Sequence, residues 1–150
     1  MIGGYGIALI QRVNWAQVHI DGALHAEISQ GLLALIGIEK DDDDKRAQRL
    51  LDKILAYRIF ADPGGKMNLG LKDVGGELML VSQFTLAAET QKGLRPGFSS
   101  AKPSDQAEVI YDRLEQAARE RHKVVQSGKF GADMQVSLEN DGPVTFILKV

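Results

Sequence analysis

The sequence contains no cysteine. That removes thiol nucleophiles, disulfide frameworks and cysteine-based zinc sites, and nothing in the chain requires an oxidising compartment. Long apolar runs are also missing. The longest, residues 32–36, falls far short of the ~20 residues that a membrane-spanning helix needs. No basic-then-apolar leader pattern is read in the first residues, so a cytoplasmic protein with no membrane partner is expected. Neither sign of charge dominates: 18 Lys and Arg face 20 Asp and Glu, which argues against indiscriminate binding of polyanions. Repeats, low-complexity tracts and Pro/Gly/Ser linkers are absent, and 150 residues suffice for one buried core, so a single domain spanning residues 1–150 is expected.

What is present begins with strand patterns. Residues 7–13 and 15–20 are rich in β-branched and apolar side chains, Asp21-Gly22 is a hairpin signal, and residues 24–28 and 32–38 complete an antiparallel start. From Asp44 the period changes. Ala47, Leu50, Leu51, Ile54, Leu55 and Ile59 recur at three-to-four spacing, predicting an amphipathic helix whose acidic start suits the positive end of its dipole. The run Asp41-Asp42-Asp43-Asp44-Lys45 is read as N-capping acids, because oxygen-ligand loops space their carboxylates at alternate positions around a turn-making glycine. Residues 77–86 read as a strand covered on both faces as far as Val81.

Residues 87–103 form a long loop carrying Lys92, Arg95 and Lys102, and a loop of that length in a compact domain is a candidate functional element. Residues 91–130 hold eight basic and five acidic side chains, so a locally basic side exists despite the overall balance. Ser104 is expected to cap a second helix running to about His122, with Ala107, Ile110, Leu114, Ala117 and Ala118 facing inward. Residues 134–138 and 144–150 are closing strands on either side of a turn at Asn140-Asp141-Gly142-Pro143. With no βαβ alternation evident, these elements predict an α+β fold: one compact domain with a mainly antiparallel, curled, barrel-like sheet and two main helices.

The usual catalytic constellations are not visible. His19 and His25 fall in the N-terminal hairpin and His122 at a helix C-terminus, where a cation is favourable in any case. Gly4-Tyr5-Gly6 and Gly64-Gly65 lack the strand-to-helix setting and the Lys-Ser/Thr of a phosphate loop. Two segments stand apart. In Val81-Ser82-Gln83-Phe84-Thr85-Leu86 three polar side chains enter the end of an apolar strand. A buried hydroxyl or amide without a partner costs about 1–3 kcal/mol, so the cluster is either a satisfied network or a site. Strand alternation places Ser82 and Phe84 on one face and Gln83 and Thr85 on the other, which leaves part of any site to backbone N–H groups. In Gly142-Pro143 the X-Pro bond has lost most of its trans preference, and both isomers are open.

Together these segments resemble the two signature motifs of the D-aminoacyl-tRNA deacylases, the D-tyrosyl-tRNA deacylase family: Ser82-Gln83-Phe84-Thr85-Leu86 and Asn140-Asp141-Gly142-Pro143-Val144-Thr145. The resemblance extends in order along the chain through Ile10-Gln11-Arg12-Val13, Gly65-Lys66-Met67-Asn68-Leu69, Asp73-Val74-Gly75-Gly76-Glu77, Arg95-Pro96 with Phe98, and Phe130-Gly131-Ala132-Asp133-Met134. Departures lie outside the two motifs: the Gly3 to Gly6 extension, Ala87-Ala88-Glu89 in place of an aromatic-Ala-acid stretch, and Gly97 where a serine is common.

The resemblance implies a homodimer that hydrolyses the ester joining a D-amino acid to the 3′-terminal adenosine of tRNA, and also clears glycine misattached to alanine tRNA. It implies a cis Gly142-Pro143 bond entering the active site of the partner subunit, where both carbonyls accept the substrate ammonium and an L side chain is rejected sterically. Ser82, Gln83, Phe84 and Thr85 are the expected catalytic segment. Arg12 is expected to brace the Gly142-Pro143 motif across the dimer, and Phe130 and Met134 to line the adenine pocket. The loop at Lys92 and Arg95 would touch the acceptor stem. No metal and no cofactor are expected. Thr85 is the evident hydroxyl nucleophile, yet no base for it is identifiable, which favours a route assisted by the 2′-hydroxyl of the substrate with backbone N–H groups around Phe84 and Thr85 holding the oxyanion. An esterase of free D-amino-acid esters and a non-catalytic RNA-binding module are the rival readings.

Overall fold

A computed structural model describes residues 6–150 of the chain. Apart from Gly6, the glycine-rich start lies outside the described residues. The elements run β1 (Ile7–Ile20), β2 (Ala23–Ile28), β3 (Gly31–Gly37), α1 (Asp44–Ala56), β4 (Phe60–Ala61), β5 (Met67–Leu69), β6 (Glu77–Ser82), a 3-10 turn (Phe84–Ala87), α2 (Ser104–Arg121), β7 (Val125–Ser127) and β8 (Gln135–Lys149). Strands β2-β1-β3-β6-β7 lie side by side in that order, β8 pairs with β1, and β4 and β5 form a small separate ribbon.

The α+β class, the two helices and the curled sheet agree with expectation, but the sheet is mixed. β1 pairs antiparallel with β2, β3 and β8, whereas β3–β6 and β6–β7 are parallel. Parallel neighbours need crossovers, and α1 lies in the first connection and α2 in the second. The βαβ arrangement that the sequence pattern did not show is therefore present twice.

Asp21 and Gly22 both have positive φ, 51° and 79°, as a two-residue hairpin turn requires. Four other boundaries differ from expectation. Residues 7–20 make one strand, since Asn14 and Trp15 sit at a register shift against β8 and not at a break. Helix α1 ends at Ala56, three residues before Ile59. Ser104 opens α2 but does not cap it: Pro103 holds the cap position and no side chain closes it. The expected turn at residues 140–143 does not separate two strands, because β8 runs through it. Gln11 pairs with Thr145 and Val13 with Asn140, so residues 141–144 bulge out opposite Arg12.

Burial explains the layering. Helix α1 is capped by Asp43, whose side chain accepts from the Arg46 N–H at 2.8 Å, and it buries Ala47, Leu50, Leu51 and Ile54. Burying each Leu or Ile contributes about 1.5–3 kcal/mol. Helix α2 presents Ala107, Ile110, Tyr111, Leu114 and Ala118 to the same layer. Every residue from Leu78 to Val81 is buried, and their alternation feeds two cores: Leu78 and Leu80 face the helices, while Met79 and Val81 join Val13, Val18, Ile28 and Leu33 on the other face.

Gly31 is where the parallel β3–β6 pairing begins. A Cβ there would lie 1.8 Å from the Glu77 carbonyl oxygen, leaving no room for any side chain. Gly31→Ala is expected to destabilise the protein by about 3 kcal/mol or more, read as a lowered urea midpoint. An unchanged midpoint would contradict this packing.

Candidate active site

The polar segment at the end of β6 leaves the sheet. Gln83 N–H still bonds the Ile36 carbonyl at 2.7 Å, as a strand residue would, but Phe84 to Ala87 then wind into a 3-10 turn closed by Leu86 N–H to the Gln83 carbonyl at 3.1 Å. Strand alternation therefore does not hold beyond Ser82, and the expected division of Gln83 and Thr85 from Ser82 and Phe84 falls away. Instead the Gln83 amide donates to the Thr85 hydroxyl at 2.5 Å. The N–H groups of Phe84 and Thr85, the first two of the turn, make no hydrogen bond among the described residues. They are the unsatisfied donors that any helical start leaves behind.

Ser82, Gln83 and Phe84 line a cavity of about 820 Å³. Its floor is apolar, with Ile36, Ile38 and Val81. The long loop supplies Phe98 and the residues from Ala101 to Pro103, followed by Ser104 and Ala107 of α2; the segment from Phe130 to Met134 closes the other side. Phe130 and Met134 thus both line this cavity. Phe84 and Phe98 are 62% and 43% exposed at the mouth, with ring centroids 5.3 Å apart. Behind Phe130, Tyr111 stacks at 5.8 Å and its hydroxyl bonds Ser127 at 2.8 Å. Burial pushes the Tyr111 hydroxyl well above its ordinary value, so it remains a neutral strut.

Thr85 is exposed, and among the described residues no carboxylate or imidazole bonds its hydroxyl. A side-chain base for a threonine nucleophile is therefore not at hand. His122 lies elsewhere, buried, with Nε2 2.7 Å from the Gly76 carbonyl oxygen. No group of three His, Asp or Glu side chains able to hold a metal occurs among the described residues.

The second motif is built in a different place. The Gly142-Pro143 bond is cis, and both residues are exposed and lie outside the cavity lining. Asn140 closes the bulge by accepting the Val144 N–H at 3.1 Å and donating to Thr145 Oγ1 at 2.9 Å. Arg12 holds it from below: Nε donates to the Asp141 carbonyl at 3.2 Å and lies 3.3 Å from its carboxylate, and Nη1 donates to the Ile59 carbonyl at 3.1 Å. The brace expected across a dimer is thus made within one chain. Gly142 has φ +127°, and a Cβ there would lie 2.6 Å from Val144 Cγ2 and 3.1 Å from Arg12 Nη2, so the corner requires glycine.

Register separates the two motifs. Ser82 is level with Ile36 and Ala8, whereas Arg12 is level with Leu32 and Leu78. Four residues of strand amount to about 13 Å, before the sideways distance from β6 to β8 is counted. The two motifs therefore do not meet within one chain.

Several participants were not legible as such. Lys102 was visible only as one of three loop cations, yet it lines the cavity where Lys92 and Arg95 do not. Tyr111 and Gly128 carry no local signal in the sequence that marks them. A Cβ on Gly128 would lie 2.6 Å from Met134 Sδ, so this glycine makes the space that the methionine occupies. Gly128→Ala is expected to push Met134 toward the cavity and raise KM several-fold with less than about 1.5 kcal/mol of destabilisation, since the displaced atom belongs to a flexible side chain. Unchanged KM would show that Met134 does not shape the pocket.

Comparison with known proteins agrees with this geometry. The family description D-Tyr-tRNA(Tyr) deacylase matches residues 9–149. A D-aminoacyl-tRNA deacylase of Stutzerimonas stutzeri is 57% identical over 141 residues, 94% of this chain and 97% of the relative. One from Escherichia coli is 54% identical over 144 residues, 96% of this chain and 99% of the relative. Among solved structures, c-Myc DNA Unwinding Element Binding Protein superposes with a TM-score of 0.92 at 38% identity, covering 96% of this chain and 98% of that one. A probable eukaryotic D-amino acid tRNA deacylase superposes at 0.84 with 17% identity over 97% and 100%, which shows a shared fold. With both motifs present and the match running over nearly its whole length, the chain belongs to the D-Tyr-tRNA(Tyr) deacylase family.

Proposed function

We propose that the protein hydrolyses the ester between a D-amino acid and the 3′-terminal adenosine of tRNA, acting as a homodimer in the cytoplasm. The observation that carries this reading is the separation of the two motifs. A cavity with unpaired N–H donors and an exposed rigid corner lie too far apart in one chain to form one site, and a second copy supplies each with its complement. The names of the relatives support the substrate class.

In this reading the aminoacyl ester lies along Ser82, Gln83 and Phe84, and the adenine lies against Phe130 and Met134. The Phe84 and Thr85 N–H groups receive the oxyanion that develops as water adds to the ester carbonyl; such donors contribute about 3–4 kcal/mol each to lowering a barrier. The substrate's 2′-hydroxyl relays the proton of the attacking water, accepting it while giving its own to the departing 3′-oxygen, so that the free amino acid and the 3′-hydroxyl of the tRNA result; among the described residues no side-chain base bonds Thr85. The Gly142 and Pro143 carbonyls of the other subunit take the substrate ammonium. A D side chain then points to open space, an L side chain strikes the corner, and glycine passes because it has none, so glycine on alanine tRNA is also cleaved.

Two measurements test this. In parallel assays at sub-stoichiometric protein, D-Tyr-tRNA is expected to be deacylated while L-Tyr-tRNA survives. Cleavage of both esters would refute steric rejection, and survival of both would refute the enzyme reading in favour of RNA binding. Thr85→Ala is expected to retain turnover within about tenfold, because the loss of one exposed hydroxyl leaves the backbone donor in place. A drop of many orders of magnitude would instead make the Thr85 hydroxyl the nucleophile.

A further inference from the structure

Lys102 is half-buried and lines the cavity, and among the described residues its ammonium makes no hydrogen bond or ion pair. Its position is fixed by the backbone. Lys102 N–H bonds the Ile38 carbonyl at 3.2 Å, Lys40 N–H bonds the Ser100 carbonyl at 2.8 Å, and Glu39 and Ala101 form a bridge, so the loop is stitched to the end of β3. Burial pushes the Asp42 carboxyl above its ordinary value, and Lys102 is among the groups that oppose that shift. That carboxyl already has closer partners, the Glu39 N–H at 2.6 Å and Arg46 at 3.5 Å. The charged side chains lining the cavity are Lys102 and Asp133. A half-buried lysine lining a cavity of this size is suited to an anion, and a lysine binds phosphate as a point charge.

Resting on the deacylase reading, we propose that Lys102 binds the 5′-phosphate of the substrate's terminal nucleotide, the phosphodiester that links it to the penultimate residue. The amino acid at Ser82 to Phe84 and the base at Phe130 and Met134 leave the sugar's 5′ side toward the remaining wall, where the loop enters α2 at Lys102 to Ser104. Lys102 is then a substrate-binding residue for the RNA part and takes no part in bond cleavage. It also gives a protein of net charge −2 a local contact with polyanion.

The test compares two minimal substrates, the 3′-D-tyrosyl ester of adenosine and that of adenosine 5′-monophosphate, with the intact protein. The wild type is expected to favour the phosphorylated ester in kcat/KM by about ten- to hundredfold, the range of one charge-assisted hydrogen bond, chiefly through KM. In Lys102→Gln that ratio should fall close to one, and in Lys102→Arg it should largely persist. Because the readout is a ratio within one protein, a loss of folded material does not move it. If Lys102→Gln keeps the wild-type ratio, or if the wild type shows no preference, the inference is overturned while the deacylase reading stands. If neither ester is cleaved while D-Tyr-tRNA is, the inference is overturned and the deacylase reading stands; if D-Tyr-tRNA also survives, both fall.

Discussion

Strand β1 is hydrogen-bonded along both edges. One edge is shared by β3 and β2 in succession, the other belongs to β8 over nearly the whole length. This long pairing sets β2, β3 and β8 antiparallel to β1 and makes the bulge in β8 possible, because three extra residues can be looped out only where the ladder resumes firmly on both sides. Arg12 stands opposite the bulge and bonds carbonyls from two different segments, Asp141 and Ile59. The exposed corner at Gly142-Pro143 is therefore held by the most extensively paired strand of the fold.

The cavity depends on the opposite event, the end of a ladder. β6 is buried on both faces up to Val81 and then stops, and the first N–H groups of the turn that follows are left without acceptors beside an 820 Å³ cavity. Such donors are preorganised at no further cost when charge develops on a substrate oxygen. In the proposed mechanism backbone geometry does what titrating side chains do in other hydrolases, consistent with a chain that has no cysteine and whose His122 lies elsewhere. In the proposed dimer each subunit completes the other, and chirality is judged by a rigid corner.

Local signals in the sequence carried most of the architecture. The spacing of Ala47, Leu50, Leu51 and Ile54 identified the inner face of α1, Asp21-Gly22 the hairpin, and the continuous apolar run before Ser82 a doubly covered strand. Strand direction was not legible, because an apolar run reads the same whether its neighbour is parallel or antiparallel. Asp141-Gly142-Pro143 has turn composition, and only the pairing of Gln11 with Thr145 and Val13 with Asn140 reveals that the chain continues forward. The resemblance drew attention to both motifs, and the structure shows what lies between and behind them. Lys102, Tyr111 and Gly128 act through contacts with residues distant in the chain or in the loop, which no local pattern encodes.

The central claim is that the two half-sites of one chain serve different active sites, and subunit mixing tests it most directly. Phe84→Pro removes one unpaired N–H, and Gly142→Val fills the corner; each variant alone should be inactive. After exchange of subunits between the two, half of the dimers carry one site with both defects and one with neither, so the account predicts recovery of about a quarter of wild-type D-Tyr-tRNA deacylation. No recovery above the separate variants, with exchange verified, would place both motifs in the same site and contradict the account.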